Sequence, residues 1–328
     1  IKHQIYEKIF KVRKEGAMVS SNTSSIPIKV LSEHFTDTEK KYLLFTNLTE
    51  LLRKKPQLCQ TALKSILNLP VSGEDYTLQM ATVLGAIASS RSAHAESALN
   101  EALMQPTRSR IAMQAAIYLN NFPSPTQTTV DNLERRIQQS PEGSDIKVAA
   151  TLALGSVASN LATAQSDILV DKLIAAAEIA SNKAIYLAAI GNSANTKALD
   201  YLAQQSSSKT AKIRAQALYS LRNMDGELPV KIFRKQILQE KDKSVVKSSV
   251  RSLRFFKPSQ SYLDTLHDTY LKFEDDPAIK NKVLYLSYKN LKSSGAMDDN
   301  YRATLEKIKM QSRFETVALD RLLVSLNR

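Results

Sequence analysis

The sequence predicts an all-α fold. Residues 42–328 read as a right-handed α–α solenoid of about seven to eight helical pairs, preceded by a short α/β-like fragment over residues 1–41. Three observations predict it. A basic residue recurs at Lys41, Arg110, Lys147, Lys183, Arg214, Lys247, Lys280 and Arg313, and its last three steps are 33 residues each (214 to 247 to 280 to 313). Thr77 fills the slot between Lys41 and Arg110. A period of that size marks stacked helical units, each burying its apolar face only against its neighbours. Most recurrences open an apolar stripe at helical spacing. Finally, 8 glycines and 10 prolines in 328 residues, with no Trp, favour helices over a turn-rich β fold.

Taken in order, Ile1–Val12 form an amphipathic helical pattern with Ile5, Ile9 and Val12 on one face. Lys14-Glu-Gly16 reads as a turn and Ala17-Met-Val-Ser-Ser21 as a short buried strand. The polar loop Asn22-Thr-Ser-Ser-Ile-Pro-Ile28 follows, then a helix from Lys29 to Phe35. Helix, turn, strand, loop, helix is an α/β phrase, and polar residues directly after a strand lie where open α/β sheets bind ligands.

From Lys41 onward the phrase changes. Ile146, Ala150 and Leu154 make one helical stripe; Ile213, Ala217, Leu218 and Leu221 make another; Ile279, Val283 and Leu286 a third. The third follows Asp276-Pro277, where Asp can cap and Pro can occupy the first turn. A partner helix precedes each such stripe, at Thr196–Gln204, Pro229–Gln239, Gln260–Phe273 and Asn300–Met310. Turn residues join them: Ser206-Ser-Ser208, Asn223-Met-Asp-Gly226, Lys257-Pro-Ser259 and Ser293-Ser-Gly295. Ala149, Ala150, Ala215 and Ala217 suit close helix approach.

Composition narrows the function classes. The longest uncharged stretch, Val148–Ser166, holds Thr, Ser, Asn and Gln, so no membrane span is expected. A single cysteine, Cys59, excludes an internal disulfide and reads as a small core residue. Four scattered histidines give no ligand spacing, and no metal site is expected. No catalytic constellation is expected either: there is no nucleophile elbow and no phosphate loop.

The stretch Gly16-Ala-Met-Val-Ser-Ser-Asn-Thr-Ser-Ser-Ile-Pro-Ile28 closely resembles part of the NAD-dependent 3-hydroxyacyl-CoA dehydrogenases, and the likeness extends loosely from Ile1 to about Lys41. The resemblance implies that Asn22 lies near the nicotinamide end of the cofactor and that Ser24 hydrogen-bonds the substrate's 3-oxygen. That family's catalytic His sits in a His-Phe-Phe-Asn-Pro stretch; the corresponding position here is Phe45, in Tyr42-Leu-Leu-Phe-Thr-Asn-Leu48, and His34 comes too early. The family's Gly-x-Gly-x-x-Gly loop would precede Ile1. Hydride transfer needs a cradled pyrophosphate and a positioned base, so NAD is implied only where this fragment belongs to a complete enzyme. The abrupt end near Lys41 leaves three readings: a fragment of a longer fused polypeptide, a joined reading frame, or chance similarity.

The remainder resembles HEAT-type repeats, as in Arg214-Ala-Gln-Ala-Leu-Tyr-Ser-Leu221. Between residues 119 and 256 it also resembles the helical module of the large lipid transfer proteins, the vitellogenin and microsomal triglyceride transfer protein group. Pro123-Ser-Pro-Thr126, Leu152-Ala-Leu-Gly-Ser156 and Tyr186-Leu-Ala-Ala-Ile-Gly-Asn192 carry that likeness.

The formal net charge is +13. Between Lys231 and Lys257, nine basic residues stand against Glu240 and Asp242. Lys243, Lys247, Arg251 and Arg254 share one helix face and form a candidate basic stripe for an acidic partner or anionic surface. Aromatics suited to base stacking are sparse there, so a specific nucleic-acid reader is not expected. The expected function is a non-catalytic scaffold that binds a protein or lipid-bearing partner. The alternative is a fragment or fusion of a 3-hydroxyacyl-CoA dehydrogenase that keeps part of its substrate and NAD site.

Overall fold

The structure, a computed structural model, describes residues 37–69, 74–257, 259–293, 303 and 306. The expected helix at Ile1–Val12, strand at 17–21 and helix from Lys29 to Phe35 lie outside them, as does most of Asn300–Met310. Every regular element among the described residues is helical. The chain divides into two compact units, Ile1–Ala153 and Leu154–Arg328.

In the first unit run α1 (Asp37–Lys54), α2 (Leu58–Leu67), α3 (Glu74–Ser90), α4 (Ala93–Leu103), α5 (Ser109–Leu119) and α6 (Gln127–Gln139). The helix α7 (Asp145–Ala158) carries the unit boundary. Helix α1 starts at Asp37, so it crosses the junction expected near Lys41 without a break. Helices pack both on the adjacent helix and on the one after it: α2 packs on α3, α3 on α4 and α4 on α5, while α1 also packs on α3, α3 on α5, α2 on α4 and α4 on α6. Two rows of alternate helices result within this unit. Small and branched residues fill the space between them, with Leu63, Leu84, Ala86, Ile87, Ala95, Leu99, Ile111, Ala115 and Leu119 fully buried. Cys59 is buried and in no disulfide, and its Sγ makes a long hydrogen bond of 3.8 Å with Ser90 Oγ.

Several of the polar groups that enter this core pair with one another, as burial favours, although Thr46 Oγ1, Thr49 Oγ1 and Gln60 Oε1 are buried without a hydrogen-bond partner among the described residues. Ser92 caps α4 by accepting from the Ala95 N–H at 3.1 Å. Glu96, one turn on, accepts from the backbone N–H and hydroxyl of Thr126 and from the Thr129 hydroxyl. It thereby satisfies the start of α6 from α4, a cap supplied by another helix. Asn100 extends the network to Thr129 and Asn132.

In the second unit run α8 (Thr163–Ile179), α9 (Lys183–Asn192), α10 (Leu199–Gln205), α11 (Ala211–Ser220), α12 (Glu227–Gln239), α13 (Lys243–Val250), α14 (Gln260–Lys272) and α15 (Pro277–Ser293). Short 3₁₀ turns precede α10 and follow α11 and α13. The same rule holds here: α9 packs on α11, α11 on α13 and α13 on α15, with α12 on α14. Two glycines show how closely successive helices approach. A Cβ at Gly155 would stand 2.0 Å from the Ala189 carbonyl oxygen, and one at Gly191 would stand 2.6 Å from Ser220 Cβ. The expected Asp276-Pro277 start is present: Asp276 Oδ1 accepts from the N–H groups of Ala278 and Ile279 at the head of α15.

Candidate functional site

The basic run on and around α13 is the most charged surface the sequence offers, and folding rearranges it. Of its nine cations, Lys231 pairs with Glu227 and Arg234 with Asp264 and Asp268; Lys243 and Lys247 share Asp276, and Lys257 pairs with Asp225. These carboxylates come from outside the run, on α12, α14 and the loops before α12 and α15. Counting charge along the chain therefore overstates the free positive charge.

The four stripe residues also separate. Lys243 and Lys247 lie on α13, which ends at Val250; Arg251 and Arg254 lie on the 3₁₀ turn that follows, Arg251–Phe255. In a 3₁₀ helix residues three apart eclipse, so the two arginines stack one above the other and leave the line of the lysines. Lys247 holds Asp276 at 3.3 Å. Burial alone would raise the Asp276 pKa, but the N–H of Ile279 and the Lys247 ammonium hold it below the usual value. The lysine half of the stripe is thus largely spent on an internal partner.

The arginine half finds company that the sequence did not suggest. The turn Leu221–Asn223 after α11 packs against Arg251–Phe255, and α15 packs on that second turn as well. This brings Arg222 over the Tyr219 ring at 3.5 Å and 5.6 Å from the Phe255 ring centre, while Arg254 covers Phe255 at 4.5 Å. Tyr219 and Phe255 meet edge to face, with centroids 6.5 Å apart. Arg222 Nη1 also donates to the Tyr219 carbonyl at 2.8 Å. Burial lowers the Arg222 pKa, and repulsion from Arg254 adds to the effect. Burial likewise lowers Lys282 on α15, with Arg251 and Arg254 both pushing in the same direction. Lys282 and Tyr219 are not among the residues the sequence singled out, because the contacts that bring them to Arg251, Arg254 and Phe255 join distant positions along the chain. The recurrence itself was the one signal that could have found them.

The recurring basic residue is structural where its partner can be described. Lys147 holds Glu142 and Lys183 holds Glu178, each five residues back in the preceding loop or helix end. Arg214 is the strongest case. Its guanidinium grips Glu240 through Nε at 2.6 Å and Nη2 at 3.0 Å, and Nη1 donates to the Ser208 and Lys209 carbonyls. Glu240 accepts in turn from the N–H groups of Lys241 and Asp242, just before α13. Arg214 thus ties the start of α11 to the start of α13. Arg110 is exposed, whereas nearby Arg108 donates to the Leu67 and Leu69 carbonyls that end α2.

Asn22 and Ser24 lie outside the described residues. Phe45, at the position of the resemblance's catalytic base, is described. It sits half-buried in α1, its ring 3.2 Å from where a Cβ on Gly85 of α3 would stand. It is a packing residue and no proton acceptor. Among the described residues no group of three or more His, Cys, Asp or Glu could hold a metal ion, and no helix is long and apolar enough to cross a membrane.

Fold and surface define this chain, over its described residues, as an all-helical protein whose alternate helices pack in rows. The comparisons with known proteins concern its other end. Residues 1–47 match the family model described as 3-hydroxyacyl-CoA dehydrogenase, NAD binding domain. A putative fatty acid oxidation complex trifunctional enzyme of Rickettsia felis is 45% identical over 47 residues, which is 14% of this chain and 6% of that protein. The chain therefore spans a small fraction of the curated relative it matches. The resemblance to dehydrogenases read from Gly16–Ile28 is supported, and the match runs six residues past Lys41, into α1.

Proposed function

We propose that this chain is a fragment or fusion of a 3-hydroxyacyl-CoA dehydrogenase that keeps part of the substrate and NAD site, joined to a non-catalytic helical array. The observation that carries this reading is the match of residues 1–47 to the NAD-binding domain model, together with 45% identity to a relative named for fatty acid oxidation. In this reading Asn22 approaches the nicotinamide end of the cofactor and Ser24 the 3-oxygen of an acyl-CoA substrate. Phe45 stands where the base would be. In this reading the segment supplies ligand contacts and not the proton acceptor that hydride transfer needs. Isothermal calorimetry with NADH and with acetoacetyl-CoA tests it. Weak saturable heat that Asn22→Ala and Ser24→Ala diminish is the expected result; no heat at millimolar ligand ends the reading.

For the helical part, we read a right-handed α–α solenoid of about seven to eight HEAT-like pairs that serves as a scaffold for a protein or lipid-bearing partner. The packing of helices on the adjacent one and, in most cases, on the next but one, within each unit, supports this reading.

A further inference from the structure

We propose that Arg222, Arg251, Arg254 and Lys282, with the rings of Tyr219 and Phe255, form a binding site for a small anion carrying two or more phosphate groups. This inference rests on the second unit alone and is independent of the dehydrogenase reading.

Three observations converge on it. First, the cations are concentrated and uncompensated. Among the described residues no carboxylate pairs with any of the four, although most neighbouring cations of the same run found one. A fold that spends Asp225, Glu227, Asp264, Asp268 and Asp276 on the surrounding cations leaves this group bare. Second, the cations are held against one another. Arg222 and Lys282 are each made less willing to carry charge by burial and by their arginine neighbours. A bound anion relieves both costs at once. Third, the arginines are pre-oriented. A guanidinium stacked flat on a ring keeps its N–H edge free for a bidentate contact, and less side-chain freedom is lost on binding. Arg254 stands over the Phe255 ring and Arg222 over the Tyr219 ring; Arg222 Nη1 already donates to the Tyr219 carbonyl, so its other N–H groups are the ones an anion would meet. Phe255 is 45% exposed, a large value for an aromatic ring unless something above it matters.

The chemistry selects phosphate clusters over other anions. A single carboxylate meets only one fork, whereas a di- or triphosphate presents several charges within the span of the four cations. Guanidinium groups already cover ring faces here, so a stacked base adds little, and a nucleic-acid strand presents its charges one at a time. Inorganic polyphosphate and the phosphate tail of a nucleotide share the recognised group.

The test uses the full chain, titrated calorimetrically with tripolyphosphate and, separately, with ATP in the absence of metal. Both should bind, with similar affinity, and more weakly as salt rises. The double variant Arg251→Gln/Arg254→Gln alters two exposed side chains, so circular dichroism should match the parent, and its Kd should rise at least about tenfold, since charge-assisted contacts are the strong ones. Lys55→Gln/Lys64→Gln, which removes two exposed charges from the first unit, should leave the Kd unchanged. Binding only by ATP would assign the site to a base and overturn the proposal. So would undiminished binding by the arginine variant, absence of tripolyphosphate heat at millimolar concentration, or oligonucleotide or phosphatidylserine vesicles binding without competition from tripolyphosphate.

Discussion

At the scale of single residues, the charge pairs decide more than the charge count. Arg214 and Glu240 show why. The Glu240 side chain is only 6% exposed and that of Arg214 19%, so each would be costly to leave alone. Burial by itself would raise the Glu240 pKa; the Arg214 fork and the N–H groups of Asp242 and Lys241 outweigh it, and the pKa falls below the usual carboxylate value. Arg214→Ala should therefore cost about 3 kcal/mol at neutral pH, the low end for breaking a buried pair, measured by urea unfolding. The pH dependence follows from the sign of the shift. A carboxylate with a depressed folded pKa contributes stability above its unfolded value, about 4.3, and loses it as pH falls through the folded one. The gap between parent and variant should narrow below pH about 4.3. A gap that stays constant down to pH about 3 would mean the pair contributes packing rather than charge.

At the scale of elements, the helices were legible where local chemistry sets their ends. Thr196–Gln204 is realised as a 3₁₀ turn running into α10, Gln260–Phe273 as α14 to within a residue, and Asp276-Pro277 opens α15 as read. Caps and turn residues act over a few positions, so one sequence suffices to find them. Two things escaped. The end of α13 at Val250 has no Gly or Pro to announce it, and it splits the basic stripe into a lysine half and an arginine half. The acids that neutralise the lysines arrive from other helices, so no window along the chain contains them. Glu96 is a third case: its role is to cap α6 from α4, and its own sequence neighbours give no hint of that.

The small residues noted in the sequence point to helix crossings, and Gly191 sharpens the expectation. It lies on α9 where α11 crosses; the Ser220 hydroxyl donates to the Leu187 carbonyl at 2.8 Å, and Asn223 donates to the Gly191 carbonyl at 3.1 Å. In a solvent-facing helix Gly→Ala would stabilise by about 1 kcal/mol. Here the new methyl meets Ser220 Cβ at 2.6 Å and its Cα at 2.7 Å, so the helices must part. Gly191→Ala should therefore destabilise, by about 2 kcal/mol net, in chemical denaturation. A stabilised variant would show that α9 and α11 separate freely.

At the scale of the whole molecule, the described helices lean on the adjacent helix or on the next but one within their unit, and few contacts reach further. Stability in such an arrangement is approximately a sum of local terms and nearest-neighbour interfaces. The two ends of the chain differ in kind: residues 1–47 carry the family likeness, while the described helices run from Asp37 onward. Leu218 offers a direct measure of how far a disturbance travels. It is fully buried on α11, whose neighbours are α9, α10 and α13. Leu218→Ala removes about 2–5 kcal/mol of packing at that point. If coupling is nearest-neighbour, amide hydrogen exchange should quicken most in α11, next in α9, α10 and α13, and least in the first unit. A uniform loss of protection over all helices would instead mean that the chain unfolds as one cooperative block, and the additive picture of stacked units would fall.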